Sequence, residues 1–185
     1  MIPVLETERL HLRGWRAADF EPYAAFYANE ATAKYAGGVM SREDAWRDLA
    51  TVIGQWTLRG YGFWAVEQKQ SRDFIGYAGV WHPEGWPEPE LGWGLVAPAH
   101  GRGFAFEAAS RAREHAACAW GLKHLVSYLD PDNHPSRRLA ERLGAKFEGN
   151  CDLGGDMAAA YRHPVNRGSD PITTQRSTTE PTKCP

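Results

Sequence analysis

Residues 90–109 bring together groups that can hold an anion. An apolar run over 90–96 leads into His100-Gly101-Arg102-Gly103, and an alanine-rich run follows from Phe104. A strand that feeds a glycine loop and then a helix is a cradle for negative charge. The first helical amides lack intrahelical acceptors, and the dipole there favours an anion. Glycines let a phosphate approach the backbone closely, and Arg102 adds a charge-assisted donor. The same glycines also serve a plain turn without ligand, and spacing alone leaves both readings open. Two rival phosphate motifs fit poorly. A P-loop needs Gly-Lys-Ser/Thr, which is absent. The dinucleotide fingerprint needs glycine at position 106, which is Phe106.

No other cluster offers comparable chemistry. Cys118, Cys151 and Cys184 are widely spaced and form no CxxC pair, so reduced thiols are expected. The histidines show no ligand spacing, and no metal is expected. Eight tryptophans are many for 185 residues. Core packing accounts best for most of them.

The elements that must position this loop follow from periodicity. Strands are predicted over 9–15, 62–68, 74–81, 90–96, 124–129, 146–152 and 157–163, and helices over 19–29, 41–60, 104–120 and 135–143. Ser41 is a plausible N-cap, and the helix from Pro135 stops at Gly144. The strands over 62–96 follow one another without a helix, so antiparallel pairing is simplest. A β-α-β unit comes next. This order predicts an α/β (α+β) fold, a mixed sheet with helices on both faces.

Residues 1–164 are expected to form one domain, and 165–185 a polar, disordered tail rich in Thr and Pro. A net charge of −2 gives no global attraction to nucleic acid or anionic membranes. No apolar run approaches a membrane span, and the opening MIPVLETERL does not read as a secretion signal, so a cytoplasmic protein is expected.

The loop, read as His100-Gly-Arg-Gly-Phe-Ala-Phe-Glu-Ala, resembles the R/Q-x-x-G-x-G/A signature of the GNAT superfamily of N-acetyltransferases. It is most similar to the Trp-Gly-x-Gly-Tyr-Ala-x-Glu-Ala variant of the branch that includes ribosomal-protein-alanine acetyltransferases. A second stretch, Asn133-His-Pro-Ser136 through Gly144-Ala145, resembles the family's N-x-x-S motif with its closing Gly-Phe. The opening Leu5 to Arg13 resembles the branch's first strand. The resemblance covers about residues 5–163. There are departures: His100 replaces Arg, Gln or Trp, and Ala145 replaces Phe. The tyrosine that acts as general acid in many relatives is missing from the Asn133 stretch, where Ser136 is the nearby substitute.

The resemblance implies a mostly antiparallel sheet of about seven strands and an acetyl-CoA-dependent transfer to a primary amine, by direct attack in a ternary complex. The acceptor would be a protein N-terminus or a small amine. His100, Gly101, Arg102, Gly103, Phe104 and Ala105 would hold the pyrophosphate. Leu95 and Val96 would pair with the pantetheine arm, and a backbone amide there would polarise the thioester carbonyl. Asn133 would bind the arm or position a water, and Ser136 would steady the leaving thiolate. Glu90 is the candidate base. An α-amine, near pKa 7.7–8.0, needs little help, while a lysine amine, near about 10.4, needs a base. Trp81 and His82, with Trp15, Trp64 and Trp93, are candidates for the acceptor cleft. The Pro83 to Pro89 loop would rim it. Two other readings stay open, a different acyl donor and a non-catalytic acetyl-CoA-binding module. A homodimer is also left open.

Overall fold

Side-chain size decides where the helices sit. The computed structural model describes residues 1–165. Helix α4 (Phe104–Trp120) buries Phe104 and the alanines 108, 109, 112, 116 and 117. A face of small residues lets the helix lie close on a sheet, and α4 packs mainly on the central strands. Aromatic rings fill the adjoining space. Trp64 is fully buried, stacks on Trp120 at 5.3 Å and meets Trp56 edge-on at 4.9 Å. On the other face lie α1 (Phe20–Ala28), α2 (Glu30–Ala33) and α3 (Arg42–Arg59). As expected, Ser41 caps α3 by accepting the Asp44 amide.

The sheet has eight strands: β1 (Leu5–Glu6), β2 (Leu10–Arg13), β3 (Phe63–Gln68), β4 (Phe74–Trp81), β5 (Glu90–Leu95), β6 (Val126–Leu129), β7 (Lys146–Leu153) and β8 (Asp156–Arg162). Their spatial order is β1-β2-β3-β4-β5-β6-β8-β7. Every neighbouring pair is antiparallel except β5 and β6. Helix α5 (His134–Arg142) connects β6 to β7. The mixed, mostly antiparallel sheet with helices on both faces is as expected. The extra strand is β1, two residues whose alternation is too short to read. The strand expected over 9–15 is shorter, because beyond Arg13 the chain turns so that the Trp15 indole donates to the Phe63 carbonyl at 2.8 Å. From residue 166 onward the expected tail lies outside the described residues.

Two polar knots fix the frame. Arg13 is buried between Asp19 and Glu67, donating to them at 2.7–2.8 Å. That network ties the start of α1 to β2 and β3. Losing one partner would leave a buried charge uncompensated. The second knot closes β6 onto its neighbours. Ser127 Oγ donates to the Leu91 carbonyl at 2.5 Å and lies 2.9 Å from His163 Nε2. His163 therefore carries its proton on Nε2, leaving Nδ1 to face the Arg113 guanidinium at 3.4 Å.

Burial, with Arg113 and Arg162 nearby, pushes the His163 pKa down to about 4. The unfolded chain binds this proton near pH 6.5, while the folded one does not bind it until about pH 4. The stability this site supports is thus present above pH 6.5 and lost as pH falls towards 4. The loss should approach about 3 kcal/mol. Urea unfolding at stepped pH is expected to show it in the wild type and a flatter profile in His163→Gln.

Candidate active site

The site begins where β5 and β6 part. They pair at one position, Glu90 with Val126, and diverge beyond it. On its other edge β5 is paired with β4 along its length, and the Val96 amide continues that ladder to the Ile75 carbonyl at 3.0 Å. Alternation along the strand then turns the backbone groups of Leu91, Trp93 and Leu95 towards the gap. Ser127 meets the Leu91 carbonyl. His100 Nε2 lies 2.7 Å from the Leu95 carbonyl, which ties the glycine loop to the strand end. The Trp93 and Leu95 amides face the opening.

A cleft of about 680 Å³ runs from this opening to the start of α4 and on to α5. Helix α4 begins without a capping side chain, unlike α3 and α5. Its N-cap is Gly103, at φ +80°, and Gly101 sits at φ +71°. A Cβ at Gly101 would meet nothing within 4 Å, so the loop leaves open space before the amides. Three guanidinium groups stand at the first turn of α4, Arg142 lining the cleft and Arg9 and Arg102 an adjoining pocket. Arg9 and Arg102 lie over the Phe104 ring at 4.5 and 4.7 Å, and Arg142 over Phe106 at 4.2 Å. Glu107 fixes Arg9, accepting from its Nε at 2.7 Å and its amide at 2.8 Å. Uncapped amides, open space and a cationic collar fit a di- or polyphosphate. The apolar cleft beyond, with Phe26 and Leu95 in its walls, fits an uncharged chain leading away from it.

A second cavity of about 330 Å³ lies on the opposite side of the gap. Trp93, Tyr35, Asn133 and Ser136 line both spaces, so they mark the junction. Asn133 Oδ1 accepts the Ser136 amide at 3.2 Å, which caps α5 and places both residues there. Glu90 lines the second cavity. Its carboxylate accepts from Trp86 Nε1 at 2.9 Å and from the Tyr128 amide. Burial outweighs both hydrogen bonds and raises its pKa to about 8.

Facing Glu90 is a polar cluster that sequence reasoning did not reach. The Tyr23 hydroxyl donates to Asp48, and the Tyr27 and Tyr77 hydroxyls lie 3.4 Å apart. Burial raises all three phenols well above their ordinary pKa, and it raises Asp48 as well. Two glycines of β5 make room for these rings. A Cβ on Gly94 would come within 2.6 Å of the Tyr77 ring, and one on Gly92 within 2.8 Å of Phe63.

Residues 9–146 match the acetyltransferase (GNAT) domain family. The chain belongs to the GNAT family of N-acetyltransferases. It is 30% identical over 154 residues to the uncharacterized N-acetyltransferase YoaA of Bacillus subtilis, covering 80% of this chain and 86% of that protein. Among solved structures, an acetyltransferase from Agrobacterium tumefaciens shares 34% identity at a TM-score of 0.82, covering 88% of this chain and 95% of that one. The ribosomal L7/L12 α-N-protein acetyltransferase RimL, solved in complex with coenzyme A, shares the fold at a TM-score of 0.73 and 18% identity, covering 89% and 99%.

Within this GNAT fold most of the expected site residues converge. His100, Gly101, Gly103, Phe104, Ala105, Leu95, Asn133 and Ser136 surround the two spaces, Glu90 lines the second, and Arg102 faces an adjoining pocket. Both backbone groups of Val96 are engaged, its amide by Ile75 and its carbonyl by the Ala99 amide, which narrows the expected strand-edge contact to Leu95. His100 serves through its bond to Leu95. Of the aromatic candidates, Trp81 and Trp93 line the second cavity. Trp64 belongs to the core, Trp15 packs beside Tyr23 at 5.4 Å, and His82 pairs with Tyr61 at 3.0 Å. Trp86, inside the loop expected to form a rim, also lines the cavity.

Gly94→Ala is expected to destabilise the fold by about 1–3 kcal/mol, because the Tyr77 ring must move. Denaturant unfolding should show the loss, and Gly94→Ala with Tyr77→Leu should recover part of it.

Proposed function

We propose that this chain moves an acetyl group from acetyl-CoA to a primary amine, by direct attack within a ternary complex. The observation that carries the reading is Glu90, a carboxyl with a raised pKa in a cavity that opens onto an anion-binding cleft at Trp93, Asn133 and Ser136. Acetyl-CoA, when bound, supplies a thioester carbonyl as the electrophile. The α4 amides with Arg9, Arg102 and Arg142 would hold its phosphates. The cleft walls would take its arm, and the Leu95 or Trp93 amide would polarise the carbonyl. RimL, of the same fold, is named as an α-N-protein acetyltransferase and was solved with coenzyme A, which agrees with this assignment. No metal is called for, because amides and guanidinium groups neutralise the phosphates.

The amine nitrogen attacks the carbonyl carbon as its proton passes to Glu90. The C–N bond forms, the C–S bond breaks, and its electron pair stays on sulfur. Ser136, near the junction, donates to that thiolate. Glu90 is suited to the base role because its raised pKa makes it a stronger base than an exposed carboxylate. Asn133 acts by holding Ser136 in place and by lining the arm. A non-catalytic acetyl-CoA-binding module is the second reading, favoured by the absence of a tyrosine from α5.

Gly103→Glu is expected to reduce acetyl-CoA affinity at least about 100-fold in calorimetry, by placing charge and bulk in the cradle. Gly103→Ala carries the same backbone strain without the charge and should lose far less. Equal affinities for both variants would remove the phosphate assignment.

Glu90 must be ionised to accept a proton. Turnover is therefore expected to rise with pH through about 8, the value to which burial raises this group. That limb should stay near 8 when acceptors of different amine pKa are compared. Glu90→Gln should abolish the limb and lower turnover about 100-fold above it. Binding of acetyl-CoA without thiol release for any amine would favour the module.

A further inference from the structure

The acceptor-side cavity has a composition that the transfer reaction alone does not require. Three carboxyl groups line it, Asp48, Glu90 and Asp130, and no Lys, Arg or His is among its lining residues. Asp130 is engaged, since its Oδ1 accepts the Asp132 amide at 2.7 Å and its charge is felt by Lys34 outside the cavity. Among the described residues, Asp48 is met only by the Tyr23 hydroxyl. The remaining walls are largely aromatic. Phe63 and Trp81 stack face to face at 5.4 Å, and Trp86 and Trp93 come from the β4–β5 loop and β5. Aromatic faces and carboxylates without a countercharge are the two features that bind a desolvated organic cation.

Shape narrows the class further. The wall is contributed by α1, α3, β3, β4, β5, β6 and the tip of β7, with Leu153 at that tip. A space of about 330 Å³ lies at the small end of the range for ligand cavities. This suits a compact molecule better than a protein N-terminus, whose following residues need an open groove. Within the cavity Glu90 on β5 and Asp48 on α3 sit on different elements, with the hydroxyls of Tyr23, Tyr27 and Tyr77 alongside. Glu90 is needed for the reacting nitrogen. Asp48 is left for a second positive group.

We propose that the acceptor is a compact aliphatic diamine, with its reacting nitrogen at Glu90 and its second ammonium group at Asp48. This rests on the acetyl-transfer reading above. The raised pKa of both carboxyls agrees with it, because burial without a neighbouring cation is what raises them, and a bound ammonium group would supply the missing charge.

Thiol release from acetyl-CoA tests this with 1,3-diaminopropane, 1,4-diaminobutane and 1,5-diaminopentane, set against n-butylamine and a short peptide with a free N-terminus. One diamine is expected to exceed n-butylamine in kcat/KM by at least about tenfold, and the peptide by more. In Asp48→Asn the diamine-to-butylamine ratio should fall below about threefold. In Asp48→Glu, which keeps the charge but extends it into the cavity, the preferred diamine should become shorter by one carbon. A wild-type ratio near one, a peptide preferred to every diamine, or a ratio unchanged in both Asp48 variants overturns the proposal while leaving acetyl transfer intact. Thiol release stimulated by none of these amines overturns both.

Discussion

β5 and β6 run parallel yet share one paired position, Glu90 with Val126, and then separate. Backbone amides on the gap side of β5 are left without a neighbouring strand, and buried amides need partners. The separation is held from below by Ser127, whose hydroxyl joins the Leu91 carbonyl to the buried His163. It is held from above by the His100 bond to Leu95. A continuous sheet would have consumed the same amides in a ladder and closed the space. The cleft, the junction and the acceptor-side cavity all follow from that interrupted pairing.

The two spaces that meet at the gap have opposite electrostatic character. One begins at uncapped amides ringed by Arg9, Arg102 and Arg142. The other is walled by aromatic rings and carboxyls. A formal net charge of −2 hides this division, because the sum over the chain cancels what the fold keeps apart. The two spaces thus suit groups of opposite charge, and Trp93, Asn133 and Ser136 stand where they meet.

Much of the cofactor end was legible because it is contiguous. Strand, glycine loop and helix lie within about twenty residues, and local rules of helix termini govern them. The acceptor end is assembled from distant pieces. Tyr23 and Tyr27 read as the apolar stripe of α1, Tyr77 as a strand residue and Asp48 as an exposed helix position, and only packing brings them together. The tryptophans show the same limit. Trp64 and Trp93 sit on strands with similar alternation, but the first is covered by α4 and the second faces the gap. The short β1 and α2 escaped for another reason, since two and four residues carry no measurable period. The raised pKa of Glu90 depends on what is packed around it, so the sequence could nominate the residue without indicating its protonation.

The alternation of β5 gives its two faces separate work. Glu90 and Gly92 face the second cavity, with Phe63 lying over Gly92 and Tyr77 over Gly94. Leu91 and Leu95 belong to the core beneath α4, which positions the anion cradle. Changes around Glu90 and Gly92, or at Tyr23 and Asp48 above them, can accumulate without touching the α4 N-terminus. The strand thus uncouples the inheritance of one reactant from that of the other. A lineage built on this fold can exchange acceptors by substitution on one side of a single sheet while its donor chemistry stays constant.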